Sequence, residues 1–196
     1  MTARAALERL LAAARDWHAA LPALTAFTPW PGDLAYCDRA PAALPHIPLM
    51  LANPGATTPA SAPICATLLA AAPHVEWRHT YSETEVGRDF LNAFGWFELA
   101  GPDGHFITRQ TRMTVGFWGP GLHYDWHQHP AEEIYSVVAG AGRFALDGAP
   151  DQMLGAGETR FHPGETRHAL TTTDQPVLTF VLWRGDGLAD DPRMST

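Results

Sequence analysis

From Gly95 onward the chain is written in short β-like runs cut by turn signals, and no other feature restricts its fold so much. WFEL is followed by PDG, and FITRQTRMTVGFW by GPG. EIYSVVA is followed by GAG, RFAL by DGAPD, and VLTFVLW by RGDG. Such spacing predicts an antiparallel barrel or sandwich. The preceding residues have a different texture. Over residues 2–20, Leu7, Leu10, Leu11, Ala14 and Trp17 fall on one helical face. From Pro22 to Pro63, nine prolines exclude long regular elements, yet Trp30, Tyr36, Leu49 and Met50 mark a packed wrap rather than a free linker. A short helix is expected after Ser61, with Ser61 as its cap and Ile64, Leu68 and Leu69 inward. A further helix is expected over about 83–94. The division is therefore a helical, proline-rich extension over 1–94 and a β-barrel over 95–196, with the extension packed on the barrel and helping to close its mouth.

Charge narrows the function. There are 13 basic and 21 acidic residues, and every basic residue is arginine. A Schiff-base lysine and a phosphate-loop lysine are thereby excluded. A net charge of −8 makes nucleic acid a poor partner. The two cysteines, Cys37 and Cys65, do not amount to a disulfide framework. No apolar run reaches the ~18 residues of a membrane span. Glu8, Arg9, Arg15 and Asp16 interrupt the N-terminal stretch, so a secretion signal is not expected and a cytoplasmic location is the default. The partner expected is a small molecule, and a barrel edge with an aromatic N-terminal segment leaves room for a homodimer.

Five of the ten histidines fall between positions 123 and 168. His127 and His129 are two apart, so a strand presents both imidazoles on one face. Pro130 then turns the chain. Glu133 opens the next run, with Tyr135 on the same face. His168, after a Gly/Pro turn, is the natural fourth ligand. Three nitrogens and one carboxylate suit one divalent first-row metal such as Zn, Fe or Mn, with a position left open for water or substrate. His123 and His162 read as neighbouring or pocket-lining groups.

These residues resemble the cupins. Gly121, His127, His129, Glu133 and Gly140 match the first cupin motif at every position. Gly157, Pro163 and His168 match the second, with Glu165 in place of its glycine and Thr172 in place of its asparagine. The resemblance implies a cupin β-barrel, a double-stranded β-helix or jelly roll, with the N-terminal extension outside it. The stretch GFWGPGLHYDWHQHPAEEIYSVVAGAGRF, with FHPGETRHAL and VLWRGDGL, looks more narrowly like the cupin-type lyases of dimethylsulfoniopropionate, the DddQ type. That resemblance implies a metal-dependent lyase releasing dimethyl sulfide and acrylate. It implies Tyr135 as candidate base, a second site tyrosine at Tyr124, and a late-strand tryptophan at Trp183. Substrate binding is expected at Trp183, Tyr124 and His123.

The chemistry suits such a site. The proton to be removed lies beside a carboxylate, so a cation holding that carboxylate would help. A tyrosine with an ordinary pKa of about 10 needs a neighbouring positive charge to act as base. A sulfonium favours aromatic faces, and Trp126 and Trp183 lie in or near the motifs. Tyr124 presents a parity problem: on a regular strand it would point away from His127 and His129, so a bulge is required. Two other readings remain open at this point: another metal-dependent cupin enzyme, such as a dioxygenase or isomerase, and a non-catalytic cupin that binds a small molecule.

Overall fold

The computed structural model describes residues 1–195. Helix α1 (Ala3–Ala20) starts at Thr2, whose hydroxyl accepts the Ala5 N–H at 3.2 Å. Leu7, Leu10, Ala14 and Trp17 are buried, as the helical spacing requires, while Leu11 is only partly covered. The proline-rich stretch is not devoid of helix. It holds α2 (Pro22–Phe27) and α3 (Ile47–Ala52), each short and each with proline in its first two positions. An N–H missing there has no intrahelical partner to lose. Strand β1 (Ala35–Tyr36) lies between them. Helix α4 (Ala62–Ala71) follows Ser61 as expected, but Ser61 does not cap it; its side chain exchanges bonds with Thr58. The single helix expected over 83–94 is instead α5 (Glu83–Val86) and α6 (Arg88–Ala93), interrupted at Gly87.

Ten further strands follow: β2 (Phe94–Gly101), β3 (Phe106–Ile107), β4 (Arg112–Trp118), β5 (His123–Gln128), β6 (Glu132–Leu146), β7 (Ala149–Gly155), β8 (Thr159–His162), β9 (His168–Thr171), β10 (Val177–Arg184) and β11 (Arg193–Met194). One face of the barrel runs β1-β3-β2-β4-β10-β6-β8 and the other β7-β6-β9-β5-β11. All neighbours are antiparallel except β2 and β3. Two readings of the runs need correcting. FITRQTRMTVGFW is two strands, because residues 108–111 leave the sheet. EIYSVVA, GAG and RFAL are one strand of 15 residues, β6, which serves both faces of the barrel. Gly140 is the corner between them. Its φ of +74° and the Pro176 carbonyl, 1.8 Å from where a Cβ would stand, leave no room for a side chain.

The extension and the barrel share a core. Leu7, Leu10 and Leu68 belong to one apolar cluster with Phe97, Phe117 and Phe180. Trp17 also reaches across to give its indole N–H to the Ser136 hydroxyl at 3.1 Å. A second cluster, inside the barrel, gathers Phe94, Trp118, Tyr124, Tyr135 and Trp183. Among the described residues no helix is long and apolar enough to cross a membrane.

His46 stands at the seam between extension and barrel, wholly buried, with neither ring nitrogen partnered. Trp77 meets it edge-on at 4.5 Å and Phe117 stacks at 5.9 Å. Burial, with a smaller push from His79, takes its pKa down to about 3. The unfolded chain binds that proton near pH 6.5 and the folded chain does not until about pH 3, so His46 costs stability as pH falls through that window. Replacing His46 with Phe retains the ring packing and removes the site. The variant is expected to lose about 2 kcal/mol less stability than wild type between pH 7 and pH 5, read from urea unfolding at both pH values. Equal losses in the two proteins would contradict this role for His46.

Candidate metal centre

The site lies where β5, β6 and β9 converge. Glu133 on β6 is 3% exposed and is the hub. Its Oε2 lies 3.4 Å from His129 Nε2, 3.2 Å from His168 Nε2 and 3.3 Å from His162 Nδ1. Its Oε1 accepts the Trp183 indole N–H at 2.7 Å. Burial alone would raise the Glu133 pKa, but His129 and then the other imidazoles hold it well below the ordinary carboxylate value.

The histidines are locked by one repeated device. His127 Nδ1 bonds the Asp125 carbonyl at 2.8 Å, His129 Nδ1 the Ala131 carbonyl at 3.0 Å, and His168 Nδ1 the Thr166 carbonyl at 2.9 Å. A carbonyl only accepts, so each Nδ1 carries a proton, and a neutral ring then presents Nε2 as a lone pair. Nε2 of His129 and of His168 is buried without a hydrogen-bond partner. Among the described residues Glu133 Oε2 has His162 Nδ1 as its donor, while the Nε2 atoms of His129 and His168 face it unpartnered, an arrangement that a cation resolves. Donor atoms of His129, Glu133 and His168 all lie within 4.8 Å of one another. His127 is outside that tight group, with its ring 4.1 Å from that of His168. Burial, then His168, lowers the His127 pKa well below its usual value.

Strand register explains the rest of the pocket. Arg112, Trp183, Glu133 and His162 form one row across β4, β10, β6 and β8. Two residues along, Thr114, Val181 and Tyr135 form the next. Period-two alternation puts both rows on the same face, and Tyr135, Glu133, His127 and His129 line one pocket with Trp96, Arg112, Trp118 and Trp183. Burial, then the Glu133 carboxylate, pushes the Tyr135 pKa well above its ordinary value.

The bulge that Tyr124 requires is present. Pairing of β5 with β9 slips by one residue between Tyr124 and His127. That turns Tyr124 inward, where its ring stacks on His127 at 3.8 Å. Its hydroxyl bonds that of Tyr81 at 2.9 Å, a partner from the extension for which the sequence carried no signal. Trp183 is placed at the cluster, stacked on His129 at 3.9 Å as well as bonded to Glu133. His123 is not brought to the pocket: it is exposed and faces Thr171 and Asp125 on the outer side of β5. Trp126 also lies outside, under Arg167 at 5.6 Å. His162, read as a neighbouring group, touches Glu133 directly. Glu165, where the cupin motif has glycine, keeps the left-handed φ of +57°. It is held by its N–H to the His129 carbonyl at 2.8 Å and by ion pairing with Arg193.

Trp183→Phe keeps a ring over His129 and deletes the N–H that holds Glu133. Loss of such an outer hydrogen bond typically lowers metal affinity about 10- to 100-fold. Zinc competition against a chromogenic chelator is expected to show that drop, and unchanged affinity would remove Trp183 from the support of the centre.

Comparison with known proteins identifies relatives of the chain as a whole. The family model for dimethylsulfoniopropionate lyase matches residues 38–179. Dimethylsulfoniopropionate lyase DddQ of Ruegeria pomeroyi is 39% identical over 181 residues, covering 92% of this chain and 90% of the relative. A crystal structure from work on the DMSP lyases RdDddP and RnDddQII is 60% identical, with a TM-score of 0.98 over 100% of both chains. The crystal structure of the Ruegeria pomeroyi lyase is 38% identical, with a TM-score of 0.92 over 97% of this chain and 96% of that one. A cupin-2 domain from Rhodospirillum rubrum, 17% identical over 63% of this chain and 77% of its own, shares the fold with a TM-score of 0.50.

Proposed function

The chain belongs to the dimethylsulfoniopropionate lyase family, and on that premise we propose that it cleaves dimethylsulfoniopropionate to dimethyl sulfide and acrylate by β-elimination, with Tyr135 as the base and a divalent metal in the histidine cluster. The observation that supports this most is the pair of unpartnered, buried Nε2 atoms around the Glu133 carboxylate, one residue row from the Tyr135 hydroxyl. His129, Glu133 and His168 would hold the ion, with His127 beside them as the fourth donor; zinc, iron and manganese all suit imidazole with carboxylate. When bound, such an ion supplies a Lewis acid for the substrate carboxylate.

The side chains supply the remainder. The Tyr135 oxygen takes the proton from the carbon next to the carboxylate. The electron pair of that C–H bond becomes the second bond of the acrylate alkene, and the C–S pair leaves with neutral dimethyl sulfide. Burial and Glu133 keep Tyr135 protonated in the protein alone, so base action calls for added positive charge in the cluster. This couples the tyrosine to the cation. Tyr124, braced on His127 and bonded to Tyr81, shapes the wall facing Tyr135. The aromatic walls exclude water, which strengthens every charge interaction inside.

Headspace dimethyl sulfide from metal-loaded wild type and Tyr135→Phe tests the assignment. Loss of a general base costs about 10²- to 10⁴-fold in rate, and the variant is expected to fall by at least the lower factor while its metal content stays equal to wild type. A metal-replete variant working at wild-type rate would place the base elsewhere.

A further inference from the structure

We propose that the sulfonium end of the substrate is received by Trp118, in the corner formed with Phe94 and Tyr124, and that Arg112 keeps it out of the opposite corner. The inference rests on the lyase reading and assigns the substrate's direction in the pocket. Three tryptophans line that pocket: Trp96, Trp118 and Trp183. A cation seeks an aromatic face that no other cation occupies. Trp96 already lies under two guanidinium groups, Arg112 at 5.0 Å and Arg78 at 5.8 Å. Trp183 carries Arg112 at 4.8 Å and is stacked on His129 at 3.9 Å. Trp118 has no guanidinium over it among the described residues, and its neighbours are neutral rings: Phe94 at 5.3 Å, Tyr124 at 6.0 Å and Tyr135 at 6.3 Å.

Arg112 is a fixed charge. Its side chain is 5% exposed, its Nε lies 2.9 Å from Glu98 Oε2, and Nη1 donates to the Asp190 carbonyl at 2.8 Å. It stands two strands from Glu133 in the same row, roughly 10 Å at the usual strand spacing of about 4.8 Å. A substrate with its carboxylate at the histidine cluster can therefore point its sulfonium either along the row toward Arg112 or across it toward Trp118. Arg112 lines the pocket and its partner Glu98 does not, so the positive end of that ion pair is the nearer one and disfavours the first. The second direction passes Tyr135, which is where the proton must be taken. The sequence also makes room for this wall: a Cβ at Gly116 would stand 2.5 Å from the Trp118 ring, so only glycine lets the indole fold over the strand.

The test separates charge from shape. 4-Methylpentanoate has the carboxylate and the outline of the substrate, with carbon in place of the sulfonium sulfur. On metal-loaded enzyme, KM for dimethylsulfoniopropionate and Ki for 4-methylpentanoate are measured by dimethyl sulfide release. Trp118→Leu is expected to raise KM about 10- to 30-fold, as for a desolvated cation–π contact, while Ki changes by less than about threefold. Trp118→Phe, which restores an aromatic face, is expected to recover most of the loss and guards against misfolding. If Trp118→Leu shifts both constants equally, or neither, the placement is overturned and the lyase reading stands. If wild type releases no dimethyl sulfide with any metal, the lyase reading falls and takes this one with it.

Discussion

A carboxylate buried beside three imidazoles is costly to build, and the barrel is arranged around that cost. Glu133 has lost nearly all contact with water, and an isolated buried carboxylate would simply take up a proton. It is favoured as an anion because His162 Nδ1 donates to one oxygen and the Trp183 indole N–H to the other. His127, His129 and His168 in turn are oriented by backbone carbonyls two residues away, whereas His162 is oriented by Glu133 itself. What is left at the centre is the Nε2 atoms of His129 and His168, without hydrogen-bond partners among the described residues. Placement of the donors on three different strands makes the cluster a property of the whole barrel rather than of one loop.

The extension participates in that arrangement. Tyr81 bonds Tyr124, Thr80 lines the pocket, and β1 adds an edge to the sheet through β3. From the other end, Pro192 lines the pocket while Arg193 and Met194 pair with Gln128 and His127. The strand bearing a candidate ligand is thus flanked by β9 on one side and β11 on the other, which covers what would be an open edge. Arg112 ties the two ends together, contacting Glu98, the Asp190 carbonyl, Trp96 and Trp183.

That His127 and His129 meet in one pocket was legible because it depends on spacing alone: two residues apart on a strand means one face, whatever the strand packs against. Trp183 was reached only through the family resemblance, which gave the residue but not its bond to Glu133. Tyr124 shows where periodicity fails. A single extra residue in β5 reverses its direction, and nothing in Asp125 or Trp126 announces the bulge. Tyr81 and Trp118 were invisible for a different reason. Each meets a partner far away in sequence, and an aromatic residue in a strand or a loop looks the same whether it fills core or lines a site. The glycines of GAG were misleading in a third way. They mark a corner in β6 rather than a turn, because Gly140 is needed where Pro176 crosses closely. Glu165 kept the conformation of the glycine it replaces through bonds to His129 and Arg193.

If the unpartnered nitrogens around Glu133 hold a cation, as proposed, C–S cleavage depends on that cation. Protein stripped with a chelator and titrated with zinc, iron(II) or manganese, with dimethyl sulfide followed in the headspace, tests it most directly. Stripped protein is expected to release a negligible amount and, with a metal that supports activity, release rises and saturates at one equivalent of bound metal per chain. Release from fully stripped protein at the rate of the loaded protein would contradict it.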